Sequence, residues 1–188
     1  MTLYSAALFV HIVGALLLFT AVTLEGIGLR QMRRASTPEQ VREAAAIAGL
    51  ARMVGPASLV GIAVPGLYMT AASWGWVPWI LVGLASWLLV GVSGAVNGIR
   101  LASIGRGAAS RAELLPAELG ARIGDPVLVT FWLMRVATLL AVVFLMTVKP
   151  GLLGALLAVV VAAAIGLVAS LPTWRGAGSG LLTRAGKR

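Results

Sequence analysis

Five stretches of this chain, 3–29, 53–72, 79–99, 126–148 and 151–171, each run for about twenty residues or more with almost no charge, and no other feature limits the fold so tightly. Bilayer hydrocarbon is about 30 Å thick, and a helix rising ~1.5 Å per residue crosses it in about 20 apolar residues. A soluble core could not hide such segments. Of the residues, 60% are hydrophobic and 11% charged, against roughly 45–50% and about 25% in soluble domains. The expected fold is all-α, a polytopic membrane bundle of five transmembrane helices forming a single integral membrane domain over residues 1–188. Fusing two stretches into one broken or re-entrant helix would give four spans instead. The first stretch reads as a retained helix, because MTLYSAALF carries no positive charge and its apolar part exceeds the ~7–15 residues of a leader's h-region.

Charge placement sets the direction. Of the 15 arginines and lysines, all but Lys149 and Arg135 lie in the connections after the first and third stretches or in the basic tail, 172–188. Short loops rich in these residues stay in the cytoplasm, so the N-terminus is expected outside and the C-terminus, with its tail, inside. An odd number of spans requires the same. The formal net charge of +9 then follows from one-sided loops, and its expected partners are the lipid bilayer and anionic headgroups at the cytoplasmic face rather than nucleic acid. At the opposite end, AASWGWVPW (71–79) gathers Trp74, Trp76 and Trp79 in an uncharged connection, as an interfacial belt would, and Trp174 follows the fifth stretch. The chain has no cysteine, which excludes disulfides, thiolate metal sites, iron–sulfur clusters and cysteine nucleophiles.

The connections carry helix-start chemistry. In STPE (36–39), Ser36 or Thr37 can cap a helix with Pro38 at its first position and Glu39 reaching back. That helix is expected to run toward Gly55-Pro56, where the second span begins or kinks, and Gly61, Pro65 and Gly66 mark a further kink. SRAE (110–113) repeats the capping pattern, and Asp125-Pro126 fixes the start of the fourth span. The connection of about 25 residues between the third and fourth spans is long enough to hold a function, although its composition shows no recognisable chemistry.

Polar side chains inside the spans are the candidate site residues. At 100° per residue, His11 and Glu25 share a face of the first helix to within about 40° but stand ~21 Å apart, too far for a direct acid–base pair. Arg135 lies roughly 13 Å into the fourth span, at a depth like that of Glu25, the one acid within a span. A buried arginine wants a counter-charge, so the two can form an ion pair that specifies packing, serve a proton or substrate relay, or stay apart. In the third span, Ser86, Ser93 and Asn97 fall on one stripe beside Gly94 and Gly98, in a small-xxx-small arrangement suited to close helix packing. The sharper reading places Glu25, Ser93, Asn97 and Arg135 in one intramembrane polar cluster that lines a small cavity. His11, the single histidine, can be a hydrogen-bonded structural residue, a cofactor or quinone contact, or a proton relay.

LFVHIVGALLLF near the start, the GP-to-GLYMTAASWG second span and MTVKPGLLG between the last two spans resemble a family of small bacterial inner-membrane proteins described as a domain of unknown function. The opening is also similar to the His-bearing first helix of haem-associated families, the membrane protoporphyrinogen oxidase and copper-resistance D-type proteins. Those families use further polar ligands on other helices, whereas this sequence supplies no second histidine. The resemblance implies a bacterial inner membrane location and, through the weaker likeness, haem at His11. No carboxylate pair, nucleophile with its base, phosphate loop or metal spacing is visible. The expected function is therefore non-enzymatic, that of an accessory or assembly component, in a homo-oligomer or a larger membrane complex. The alternatives are a haem- or quinone-linked redox protein using His11, and a small transporter with a pocket near Pro65 and the third-span stripe.

Overall fold

A computed structural model of the protein describes residues 2–109 and 115–185. It is helical, with no strand among the described residues: α1 (Leu3–Met32), α2 (Pro38–Met69) running into a π-helical turn (Thr70–Trp74), α3 (Pro78–Gly107), a short α4 (Ala117–Gly124), α5 (Pro126–Val148) and α6 (Leu152–Ala185). Five helices are long and apolar enough to cross a membrane, the short α4 being continuous with the α5 span in this respect, which suggests a multi-pass membrane protein. Large apolar side chains such as Phe9, Val60, Val92 and Val160 stand exposed on the exterior, a surface suited to hydrocarbon.

The helices are longer than their apolar stretches. α1, α2 and α3 have 30, 32 and 30 residues, about ten more than a bilayer needs. The excess emerges at the arginine-rich end and packs there with α4. Leu29 and Met32 meet Val41 and Ala44 of α2, Leu101 and Ile104 of α3, Leu119 and Ile123 of α4 and Leu128 of α5 in one buried cluster. Polar contacts clamp its rim: Arg33 Nη1 donates to the Ile123 carbonyl at 3.4 Å, Arg122 Nη2 to Ser103 Oγ at 2.7 Å, and Arg100 pairs with Asp125 at 3.4 Å. The long connection between the third and fourth spans thus holds a helix, which is amphipathic and buries Leu119 and Ile123.

Caps set the starts. Thr37 is the N-cap of α2, and its hydroxyl accepts from the Gln40 amide at 3.3 Å. The side chain that reaches back is Gln40 and not Glu39 as expected, because Gln40 occupies the third helical position once Thr37 is the cap. Asp125 Oδ1 accepts from the Val127 amide at 2.9 Å, with Pro126 at the first position of α5. The SRAE motif lies outside the described residues.

Interior prolines do not end helices here. A proline withholds the amide that would bond four residues back, here to the carbonyls of Arg52, Gly61 and Val168, and each helix nonetheless continues through the site. Serine and threonine hydroxyls nearby bond other carbonyls of their own helices: Ser58 Oγ donates to Gly55 at 2.6 Å, Thr70 Oγ1 to Gly66 at 2.9 Å, and Ser170 and Thr173 to Leu167 and Ser170 at 2.7 and 2.6 Å. α2 passes through Gly55-Pro56 instead of beginning there, and α6 continues to Ala185 where a separate tail from 172 was expected.

At the tryptophan end the connections are tight. The π-helical turn stops at Gly75, whose φ of +66° and ψ of −176° fall in a region that suits only glycine. Trp74 then donates from Nε1 to the Tyr4 hydroxyl at 3.1 Å, meets Trp79 edge-on at 5.7 Å between ring centroids, and carries Lys149 Nζ 4.0 Å above its ring. This cluster joins the start of α1, the end of α2, the start of α3 and the α5–α6 turn.

Candidate functional site

α1 lies along α2, α5 along α6, and α3 sits between the pairs, touching α2, α5 and α6. Small residues permit the closest approaches. At Gly14 of α1 a Cβ would fall 2.9 Å from the Gly61 backbone of α2, at Gly28 it would fall 2.8 Å from the Ala44 carbonyl, and at Gly166 of α6 it would fall 2.8 Å from the Met134 Cα of α5. Gly26 serves a different end. A side chain there would overlap the Trp132 ring of α5, and with none present the indole lies against α1 and donates from Nε1 to the Val22 carbonyl at 2.8 Å.

These contacts bring three polar side chains of the arginine-rich half together. Glu25 (α1) and Arg135 (α5) are each 5% exposed and Asn97 (α3) is 0% exposed. Arg135 Nη2 donates to Glu25 Oε1, forming an ion pair, and Asn97 Nδ2 donates to the same oxygen at 2.6 Å and to the Leu128 carbonyl at 3.3 Å. Gly94 makes this possible, since a Cβ there would meet Arg135 Nη1 at 2.6 Å. A charged group in hydrocarbon is costly alone; paired, and with the amide completing its contacts, it fixes α1, α3 and α5 against one another. Two buried polar atoms of the cluster, Asn97 Oδ1 and Arg135 Nε, have no hydrogen-bond partner.

Ser93 does not join this cluster, contrary to the expectation. Its hydroxyl turns back on α3 and donates to Leu89 and Val90 carbonyls at 2.7 and 3.2 Å, as Ser86 does to Val82 at 2.8 Å. A serine side chain is short enough to bond the preceding turn of its own helix, whereas the longer asparagine reaches its neighbours.

His11 stands apart, half-buried in the tryptophan-end half, and its Nδ1 bonds the Ile62 carbonyl of α2 at 2.8 Å, beside Gly66. A carbonyl only accepts, so Nδ1 donates in this bond. A haem held by two histidines of this chain does not fit, because His11 is the single histidine. His11 offers one nitrogen, and the described residues contain no group of three or more His, Asp or Glu able to hold a metal.

A cleft of about 280 Å³ is bordered by α1, α2 and α3, with Glu25 and Arg135 on its wall and Arg52 beside Gly98. A small cavity beside the polar cluster was one sequence reading, but the part of Arg52 in it was missed, and Gly94 and Gly98 were read as packing residues. The chain matches no protein-family model, no curated protein and no solved structure.

Proposed function

We propose that the protein is a small, non-enzymatic, multi-pass component of a bacterial inner membrane, with its N-terminus outside and its arginine-rich end in the cytoplasm, acting as an accessory or assembly partner. The observation that carries this reading is the use made of the intramembrane polar groups. Glu25, Asn97 and Arg135 bind one another across three helices, which suits a fixed scaffold better than a reacting centre. The ordered core and basic rim at the arginine-rich end give such a component a firm surface to present to headgroups and to neighbouring membrane proteins.

A redox-linked role through His11 has one observation in its favour. The bond from Nδ1 to Ile62 fixes the ring and engages one of its two nitrogens. One preparation separates the two readings. Purified in mild detergent from a haem-sufficient host, the protein should be colourless and free of stoichiometric metal. A Soret band that disappears in His11→Ala would overturn the accessory reading and establish the redox one.

A further inference from the structure

The cleft is polar at one end and apolar at the other. Toward the arginine-rich end it is lined by Glu25, Arg52 and Arg135, and toward the middle of the bundle by Leu18, Leu59 and Val90. It opens sideways between α2 and α3, where Arg52, Pro56, Ala95 and Ile99 are exposed. The floor between these ends is kept low by Gly91, Gly94 and Gly98 on α3, and the Arg52 stem crosses Gly98 with its Cγ 3.4 Å from where a Cβ would be.

Its charge is lopsided. Glu25 is already bound by Arg135 and Asn97, so Arg52 contributes a positive charge for which the described residues hold no ion-pair partner, and the buried Arg135 keeps Nε without an acceptor. A bilayer lipid has its headgroup at the interface and its chains toward the midplane. Its polarity runs in the same direction as that of the cleft, and a side opening is the route by which a lipid would enter.

We infer that this cleft is a specific site for an anionic phospholipid, with the phosphate on the Arg52 guanidinium and one acyl chain laid over Gly91 between Leu59 and Val90. This goes beyond the diffuse attraction that any basic rim exerts on anionic membranes. It rests on the membrane reading above but is independent of which end faces the cytoplasm and of any role for His11.

The test uses the full chain in neutral detergent. Phosphatidylglycerol or phosphatidylcholine with matched chains is added, and the bound lipid is read by native mass spectrometry and by the thermal midpoint. Phosphatidylglycerol should be retained at roughly tenfold higher occupancy, the scale of one charge-assisted contact, and should raise the midpoint where phosphatidylcholine does not. Arg52→Gln should remove the preference. Gly91→Leu should remove binding by filling the chain's path, and it should fold, since its Cβ meets only a Leu59 methyl at 3.4 Å. Arg30→Gln, at the same end but outside the cleft, should change nothing. Equal retention of the two lipids would overturn the proposal, as would a preference that survives either cleft variant or falls equally in Arg30→Gln. Glycerol phosphate alone reproducing the thermal shift would also overturn it, because a free anion site would then be present in place of a lipid site.

Discussion

Arg135→Met alone should destabilise the protein by about 3–5 kcal/mol, and Glu25→Leu alone by a similar amount, because each leaves the other charge buried without its partner. The pair combined should cost far less than the sum. Both side chains are 5% exposed, and replacing a whole buried ion pair by apolar groups of similar volume is often close to neutral. Unfolding by a denaturing detergent, followed by tryptophan fluorescence and arranged as a double-mutant cycle, gives the coupling directly. Additive losses would show that the two groups act independently and that the contact between α1 and α5 lies elsewhere.

The second large effect belongs to the glycines. Gly26→Leu should drive the Trp132 indole off α1, break its bond to the Val22 carbonyl and part α1 from α5 at the level of the ion pair. Gly28→Leu should force α1 from α2, since even a Cβ would sit 2.8 Å from the Ala44 carbonyl, and main chain cannot yield as a side chain can. Overpacking of this kind costs about 1–3 kcal/mol, and more where backbone must move. Each variant should show a lower thermal midpoint in detergent and a reduced monodisperse yield. Gly124→Ala, whose Cβ would meet nothing within 4 Å, should behave like the parent. Leucine tolerated at 26 and 28 without loss would mean that the helices are not packed as described.

The spans were legible because the signal is thermodynamically large: about twenty uncharged residues have few other places to go. Helix rise and the cost of lone charges in lipid made a Glu25–Arg135 pair one of three readings, and the stripe on α3 left Asn97 between packing and the cluster it joins. What could not be read depended on tertiary detail. Ser93 shares the stripe of Asn97, and only side-chain length decides that one bonds its own helix and the other its neighbours. Pro56 and Pro172 look like breaks in a one-dimensional pattern, yet each sits inside a helix that loses one backbone bond there and keeps the turns on both sides. α4 was only half read: a capping pattern lay in its connection, but a segment of eight residues is too short for its amphipathic period to fix the helix's bounds. A cavity beside the cluster could be suggested but not shaped, because its form is what glycine and alanine leave out.

The accessory role proposed for the arginine-rich end depends on which way the bundle sits in the bilayer. The cysteine-free sequence allows that to be measured with single introduced cysteines and a membrane-impermeant maleimide on intact bacterial cells. Trp76→Cys, at the exposed tryptophan end, should label in intact cells, and Arg34→Cys, at the exposed arginine-rich end, should label only after lysis. Both positions reacting from the same side, or the reverse pattern, would contradict the five-span, N-terminus-outside arrangement.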